Sequence, residues 1–294
     1  MPSNACWPSR SDRALTTNDA ADLDDFLEAA LAEDLGESGD VTSIATIDAE
    51  ATATAHIVAR ERGCIAGLGV ALRVFELLDD EVAVGAVATD GDVVEAGTRL
   101  ATVHGPARSI LSAERLSLNL LGQLSGVATA TRALVDAVGG TSATILDTRK
   151  TVPLLRSLQK MAVSAAGGAN HRMGLYDQVL IKDNHIEAVG SAAEAVRRAR
   201  EAVGSEMIVE VEIDHLEDLE GVIEAGADIV LLDNMGPEEL QSAVRRADGR
   251  VLLEASGGIT SETVRAVAES GVDRISVGGI THSAPALDVA LDFE

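Results

Sequence analysis

Between residues 141 and 281 one unit repeats six times: a short run of branched apolar residues, then a stretch with helical spacing. The apolar runs read ATILD, QVLIK, MIVEVEI, DIVLLD, RVLLEAS and DRISVGG. The intervening helices carry start and stop signals. Ser191 with Glu194 and Asp214 with Glu217 have the spacing of a capping box or its Asp variant. Pro237 falls at a first helical turn, and Gly204, Gly226, Gly249 and Gly271 follow helix ends. Apolar strands joined by helices describe a parallel sheet covered on both faces, either an α/β barrel or a doubly wound sheet. A barrel fits better, because no G-x-G-x-x-G follows a first strand.

A parallel barrel collects its functional groups just past the C-terminal ends of the strands. ATILD ends at Asp147, Arg149 and Lys150, and QVLIK at Lys182, Asp183, Asn184 and His185. IVEVEI ends near Glu212, and DIVLLD at Asp233 and Asn234. VLLEAS runs into Ser256-Gly257-Gly258, and ISVGG into Gly278-Gly279. The first two ends are cationic, the next two anionic, and the last two are glycine loops that open helices. Arg and Lys can hold carboxylates or phosphates, and glycine loops present backbone N–H groups to a phosphate. Acids beside a phosphate site hold Mg²⁺ or sugar hydroxyls. Each signal is weak singly: Glu210 and Glu212 could be solvated, and a lone His171 is more often structural. In combination they imply a phosphorylated sugar, a metal and a separate anionic partner.

Charge sharpens this. The chain has a formal net charge of −25, with 48 Asp plus Glu against 23 Lys plus Arg, and only three of its 294 residues are lysine. Such a balance argues against nucleic-acid binding over a broad face. It suggests a salt-adapted host, with a generally acidic protein as the plainer reading. Yet all three lysines, Lys150, Lys160 and Lys182, fall within one segment that also holds Arg149, Arg156 and Arg172 against a single acid, Asp177. A cationic island on an anionic protein fits a strongly anionic ligand, and an internal ion-pair network is the alternative. Lys160, along a helix, suits an ion pair.

The rest of the chain reads differently. Residues 1–19 are polar, carry two prolines and lack periodicity, as a disordered extension does. Leu23, Phe26, Leu27, Ala30 and Leu31 then share a helical face. From about 50 to 110 short alternating runs separated by DG, AG and GP have the grammar of strands and turns. The run GDVVEAGTRLATV resembles the hammerhead of biotinyl and lipoyl carriers, but no lysine precedes Lys150, which excludes a swinging arm. No apolar run spans a membrane, and Cys6 and Cys64 offer neither a disulfide framework nor metal-ligand spacing, so a cytoplasmic protein is expected.

The stretch DTRKTVPLLRSLQKMAVSAAGGANHRMGLYDQVLIKDNH, followed by VEVEID, LLDNM, EASGGI and SVGGITHSAPALDVALDF, resembles the quinolinate phosphoribosyltransferases. The likeness starts near EDLGESGDVTS and runs on through LDF. It implies an α/β protein with an N-terminal α/β sandwich domain, residues 20–127, and a C-terminal open, TIM-like α/β barrel, residues 128–281. The tail, 282–294, would return to pack on the first domain. It implies transfer of phosphoribosyl from phosphoribosyl pyrophosphate to quinolinate with Mg²⁺ and loss of CO₂, in NAD synthesis. Arg149, His171 and Arg172 would hold the quinolinate carboxylates, with Lys150 and Lys182 beside them. Lys150, Glu212 and Asp233 would carry the chemistry, the two acids binding ribose hydroxyls and Mg²⁺. Ser256, Gly257, Gly258, Gly278 and Gly279 would hold the phosphate. Arg115 would enter the neighbouring subunit's pocket, making a homodimer the minimal unit. Two departures stand out: Leu155 where a glycine is common, and Met161 where an aromatic is common. Rival readings are a relative acting on nicotinate, a molybdenum-transport-associated relative, and a non-catalytic nucleotide sensor. The full cation set favours a dicarboxylate, and the acid pair disfavours a sensor.

Overall fold

The computed structural model describes residues 17–294, with side chains from residue 23 onward. Helix α1 (Thr17–Leu35) begins inside the stretch read as an extension, and residues 1–16 lie outside the described residues. Leu27 and Leu31 of its apolar face are buried. A short helix α2 (Val41–Thr46) follows, capped by the Asp40 carboxylate, which accepts from the amides of Thr42 and Ser43.

The first sheet is built from β1 (Thr52–Ala59), β3 (Ala83–Ala86), β5 (Arg99–Pro106) and a strand from far downstream, β12 (Val289–Phe293). Its order is β12-β1-β5-β3, and all three pairings are antiparallel. A small ribbon pairs β2 (Gly63–Cys64) with β4 (Val93–Val94). Helix α3 (Leu68–Leu78) packs against α4 (Ala107–Ala137), the 31-residue helix that leads out of this sheet. The chain before β12 crosses α4 where two glycines let it pass. A Cβ on Gly126 would stand 2.1 Å from the Pro285 carbonyl oxygen, and one on Gly122 2.8 Å from that of Leu287.

The second sheet is parallel, in the order β6-β11-β10-β9-β8-β7. Its strands are β6 (Thr144–Leu146), β7 (Val179–Ile181), β8 (Val209–Ile213), β9 (Ile229–Asp233), β10 (Leu252–Ser256) and β11 (Arg274–Ser276), the six apolar runs of the sequence. Between them lie α5 (Arg156–Ala165), α6 (Asp183–Val189), α7 (Ala192–Val203), α8 (Leu219–Glu224), α9 (Pro237–Ala247) and α10 (Val264–Glu269), and α11 (Gly279–His282) follows β11. Beyond β6 the chain at Ala169 forms a parallel bridge to Leu146. Among the described residues the end strands β6 and β7 do not pair, so the barrel is open.

The helix signals hold at most positions. Ser191 caps α7 by accepting from the Glu194 amide at 3.3 Å, and Pro237 opens α9. Asp214 caps nothing: α8 starts later, at Leu219, after a turn closed by the Asp218 amide on the His215 carbonyl. The barrel interior departs from the branched apolar filling usual for such folds. Glu210, which the sequence left open to solvation, and Glu254, part of an apolar run, are both 0% exposed, and His171, Gln178 and Arg274 are buried around them.

Candidate active site

Two chain segments leave the first edge of the barrel side by side and carry its cations. One continues β6 through Asp147 to Arg149 and Lys150; the other runs from the Ala169 bridge to His171 and Arg172. Arg149 is half-buried, and its Nε finds no partner within the protein. Burial, and then the charge of Arg149, lower the proton affinity of the Arg172 guanidinium. The Glu210 and Asp177 charges oppose that shift. Lys150 lies over the last glycine loop: a Cβ on Gly278 would stand 3.0 Å from Lys150 Cδ. Its carbonyl accepts from the Thr281 hydroxyl at 2.7 Å. Buried Gln159 links the same loop to α11, accepting from the Val152 amide at 2.9 Å and donating to the Thr281 carbonyl at 2.8 Å.

The acids follow on the next strands. Glu212, at the end of β8, pairs with the Lys182 ammonium at the end of β7. Burial pushes the Glu212 carboxyl upward against that ion pair, and the Asp233 charge adds to the rise. Asp233, at the end of β9, is raised by burial and by Asp214, with Lys182 and Lys150 opposing. The rim thus brings two carboxylates together, oxygen donors of the kind a hard divalent cation takes. Asn234 orients Asp233, donating its side-chain amide to Asp233 Oδ2 at 2.6 Å, while its backbone amide donates to the Ser256 carbonyl at 2.9 Å. Asn234 has φ +55 and Gly257 φ +97, and a Cβ on Gly257 would sit 2.1 Å from Asn234 Oδ1. Only glycine allows the ends of β9 and β10 to close in this way.

His171 lies deeper than expected. Its Nδ1 accepts from the Arg172 amide at 2.7 Å, which leaves Nε2 to carry the ring proton. Nε2 points into the barrel, 3.1 Å from Glu210 Oε2 and 3.5 Å from Glu254 Oε1. Both nitrogens thus have partners within the protein. His171, Glu210 and Glu254 are close enough together to suggest a metal cluster. Gln178 donates its side-chain amide to Glu210 and the Arg274 guanidinium lies 3.0 Å from Glu254, while Glu210 Oε1 and both Glu254 carboxylate oxygens have no hydrogen-bond partner among the described residues. A single charged residue inside an otherwise apolar strand, as at Glu254, is the sequence signal for this interior.

Arg115 stands apart from the rim, on α4, with its side chain 66% exposed and Glu114 3.9 Å away. The two departures also find their places. Leu155 has φ −94 and caps α5, while its neighbour Leu154 takes a left-handed backbone with φ +67, the conformation that favours glycine. Met161 lines a cleft of about 630 Å³ with Asp90, Arg132 and Gly167, not the barrel rim. No helix among the described residues is long and apolar enough to cross a membrane.

Known proteins share this arrangement. Residues 40–125 match the N-terminal domain of quinolinate phosphoribosyl transferase, and residues 127–292 match its C-terminal domain. The chain is 47% identical over 277 residues to the nicotinate-nucleotide pyrophosphorylase [carboxylating] of Mycobacterium leprae, covering 92% of this chain and 96% of that one. It is 45% identical over 260 residues to the probable enzyme of the same name from Bacillus subtilis, covering 88% and 89%. The structure of the nicotinate-nucleotide pyrophosphorylase from Francisella tularensis superposes with a TM-score of 0.89 at 40% identity, over 93% of this chain and 96% of that one. A rim with paired arginines, a lysine–carboxylate contact and glycine loops, on an open parallel barrel matched along almost its whole length, leaves one assignment: the chain belongs to the quinolinate phosphoribosyl transferase family.

Proposed function

We propose that the chain transfers the phosphoribosyl group of phosphoribosyl pyrophosphate to the ring nitrogen of quinolinate, releasing pyrophosphate and CO₂ and leaving nicotinate mononucleotide for NAD synthesis. One observation carries this reading: Arg149 and Arg172 leave one edge of the barrel on two segments joined by the Leu146–Ala169 bridge, and the acids Glu212 and Asp233 stand at the ends of β8 and β9. A dicarboxylate fits the cations, and a metal-bound sugar phosphate the acids.

In the first step the ring nitrogen's lone pair bonds to the ribose C1 as the C1–O bond to pyrophosphate breaks. Arg149, Arg172 and Lys182 hold the two carboxylates so that the nitrogen faces C1. Lys150, lying over the Gly278 loop, meets the charge that grows on the departing pyrophosphate. Glu212 and Asp233 take the ribose hydroxyls and answer the positive character at C1. These acids also fit Mg²⁺, which when bound would offset charge on the pyrophosphate. Ser256, Gly257, Gly258, Gly278 and Gly279 offer hydroxyl and backbone N–H groups to the 5′-phosphate. In the second step the bond from the ring to its 2-carboxylate breaks. The electron pair stays on the carbon beside the cationic nitrogen, and a proton from water completes the product. Held carboxylates position this step without a strong base.

Arg115, exposed on α4, reaches into the pocket of a second copy, so the working unit is a homodimer in the cytoplasm. The test is CO₂ release and mononucleotide formation with phosphoribosyl pyrophosphate and Mg²⁺, offering quinolinate and nicotinate separately at low and molar salt. Product from quinolinate alone is expected. Product from nicotinate alone would overturn the roles of Arg149 and Arg172, and product from neither would point to the molybdenum-transport-associated relative.

A further inference from the structure

Two of the six cations in the island, Arg156 and Lys160, do not face the rim opening. They lie four residues apart on α5, and so on one face of the helix. Each reaches both segments that carry the carboxylate grip. Arg156 Nε donates to Thr151 Oγ1 at 3.0 Å and Nη2 to the Arg149 carbonyl at 3.3 Å, while Nη1 donates to the Met173 carbonyl at 3.0 Å. Lys160 donates to Asp147 Oδ1 on one side and to the His171 carbonyl, at 2.8 Å, on the other. Asp147 Oδ1 in turn accepts from the His171 amide at 2.9 Å, and the Asn170 side-chain amide donates to Asp147 Oδ2 at 2.7 Å.

We propose that Arg156 and Lys160 are positioning residues that set the spacing between Arg149 and Arg172, and through it the preference for a vicinal dicarboxylate. The inference rests on the reaction proposed above. The parallel bridge between Leu146 and Ala169 joins the two segments upstream of both arginines. Beyond it, the like charges of Arg149 and Arg172 drive the segments apart, and the two α5 side chains hold them at one separation. Burial supports a positioning role over plain stabilisation. Lys160 is 1% exposed and Asp147 0%. Desolvation lowers the lysine's proton affinity and raises that of the aspartate, so the pair is held against a solvation cost that an apolar pair would not carry. The lysine that looked least tied to the ligand is thus the bolt behind its binding site.

The test compares Lys160→Met and Arg156→Gln with the wild-type full-length enzyme. It reads kcat, the separate KM values for quinolinate and phosphoribosyl pyrophosphate, and amide hydrogen exchange over residues 147–151 and 169–174. Loss of bonds from a charged donor weakens the grip by roughly tenfold or more. The KM for quinolinate should rise by about that factor and the KM for phosphoribosyl pyrophosphate by less than about twofold. Faster exchange should be confined to the two segments. If both KM values rise together, if exchange quickens across the whole barrel, or if neither changes, the positioning role is wrong. Arg156 is half-buried and leaves the Lys160–Asp147 pair intact when replaced, so Arg156→Gln decides the matter if Lys160→Met does not fold. Exchange needs no substrate. Should the wild type fail to turn over quinolinate, the proposed reaction falls, while unchanged exchange in the variants would separately sink the clamp.

Discussion

Replacing Leu154 by glycine should stabilise the chain. The residue holds φ +67, and its side chain leaves the residue 87% exposed. A left-handed conformation costs an ordinary L-residue about 1–2 kcal/mol relative to glycine. Truncation gives up little burial, because almost none exists at this position. Against the gain stands the extra freedom glycine has in the unfolded chain, about 0.5–1 kcal/mol. The balance runs from about zero to a gain of about 1.5 kcal/mol, which for a chain of this size is a rise in Tm of up to roughly 3 °C. Guanidinium unfolding should show a higher midpoint with an unchanged slope. Leu154→Ala is the control: it keeps the backbone cost and loses only the exposed side chain, so its midpoint should stay within error of the wild type. A lower midpoint for Leu154→Gly would refute the strain argument. A lower midpoint for Leu154→Ala would show that the leucine packs against something, contrary to its exposure.

Three further expectations concern the site. Lys150→Ala and Arg172→Ala should each cut kcat/KM by two or more orders of magnitude, about 3 kcal/mol or more, with thermal unfolding unchanged; near-normal kinetics in either would undo its assignment. Mixing inactive Arg115→Ala with inactive Lys150→Ala subunits should restore part of the activity, since one pocket in each mixed dimer would then be whole; no recovery in isolated mixed dimers would count against a shared pocket. Glu254→Gln should flatten the dependence of stability on pH. Burial and the neighbouring Glu210 charge raise the Glu254 carboxyl above its ordinary 4.5, so the folded state keeps a proton that the unfolded state releases. Stability present at low pH is then lost as pH rises from about 4.5 toward the folded value, and the neutral amide removes that loss. Equal slopes for variant and wild type between pH 4.5 and neutrality would contradict the buried, protonated carboxyl.

The barrel strands were legible because each is a contiguous run of local pattern, and the rim residues because a strand's end can be read one strand at a time. What stayed hidden was the direction of side chains and the relation between distant segments. Glu210 and Glu212 share one face of β8, yet one is buried within the barrel and the other lies further along, at the rim beside Lys182. His171 sits in a cationic stretch, yet its ring turns inward toward two glutamates whose strands lie elsewhere in the sequence. Asp214 had the spacing of a cap, but the chain makes another turn before the helix starts. The left-handed backbone at Leu154 has the same origin: nothing in the local sequence distinguishes it from its neighbour Leu155.

The pairing of β1 with β12 also bears on how the chain is made. Ile57 lies opposite Leu291, so one edge of the first sheet has no partner until the whole barrel has been translated. On the ribosome β1 is an open edge carrying unpaired amides and carbonyls, of the kind that recruits other chains. The first sheet emerges early and is completed late, and the interval between is when the chain is most open to aggregation.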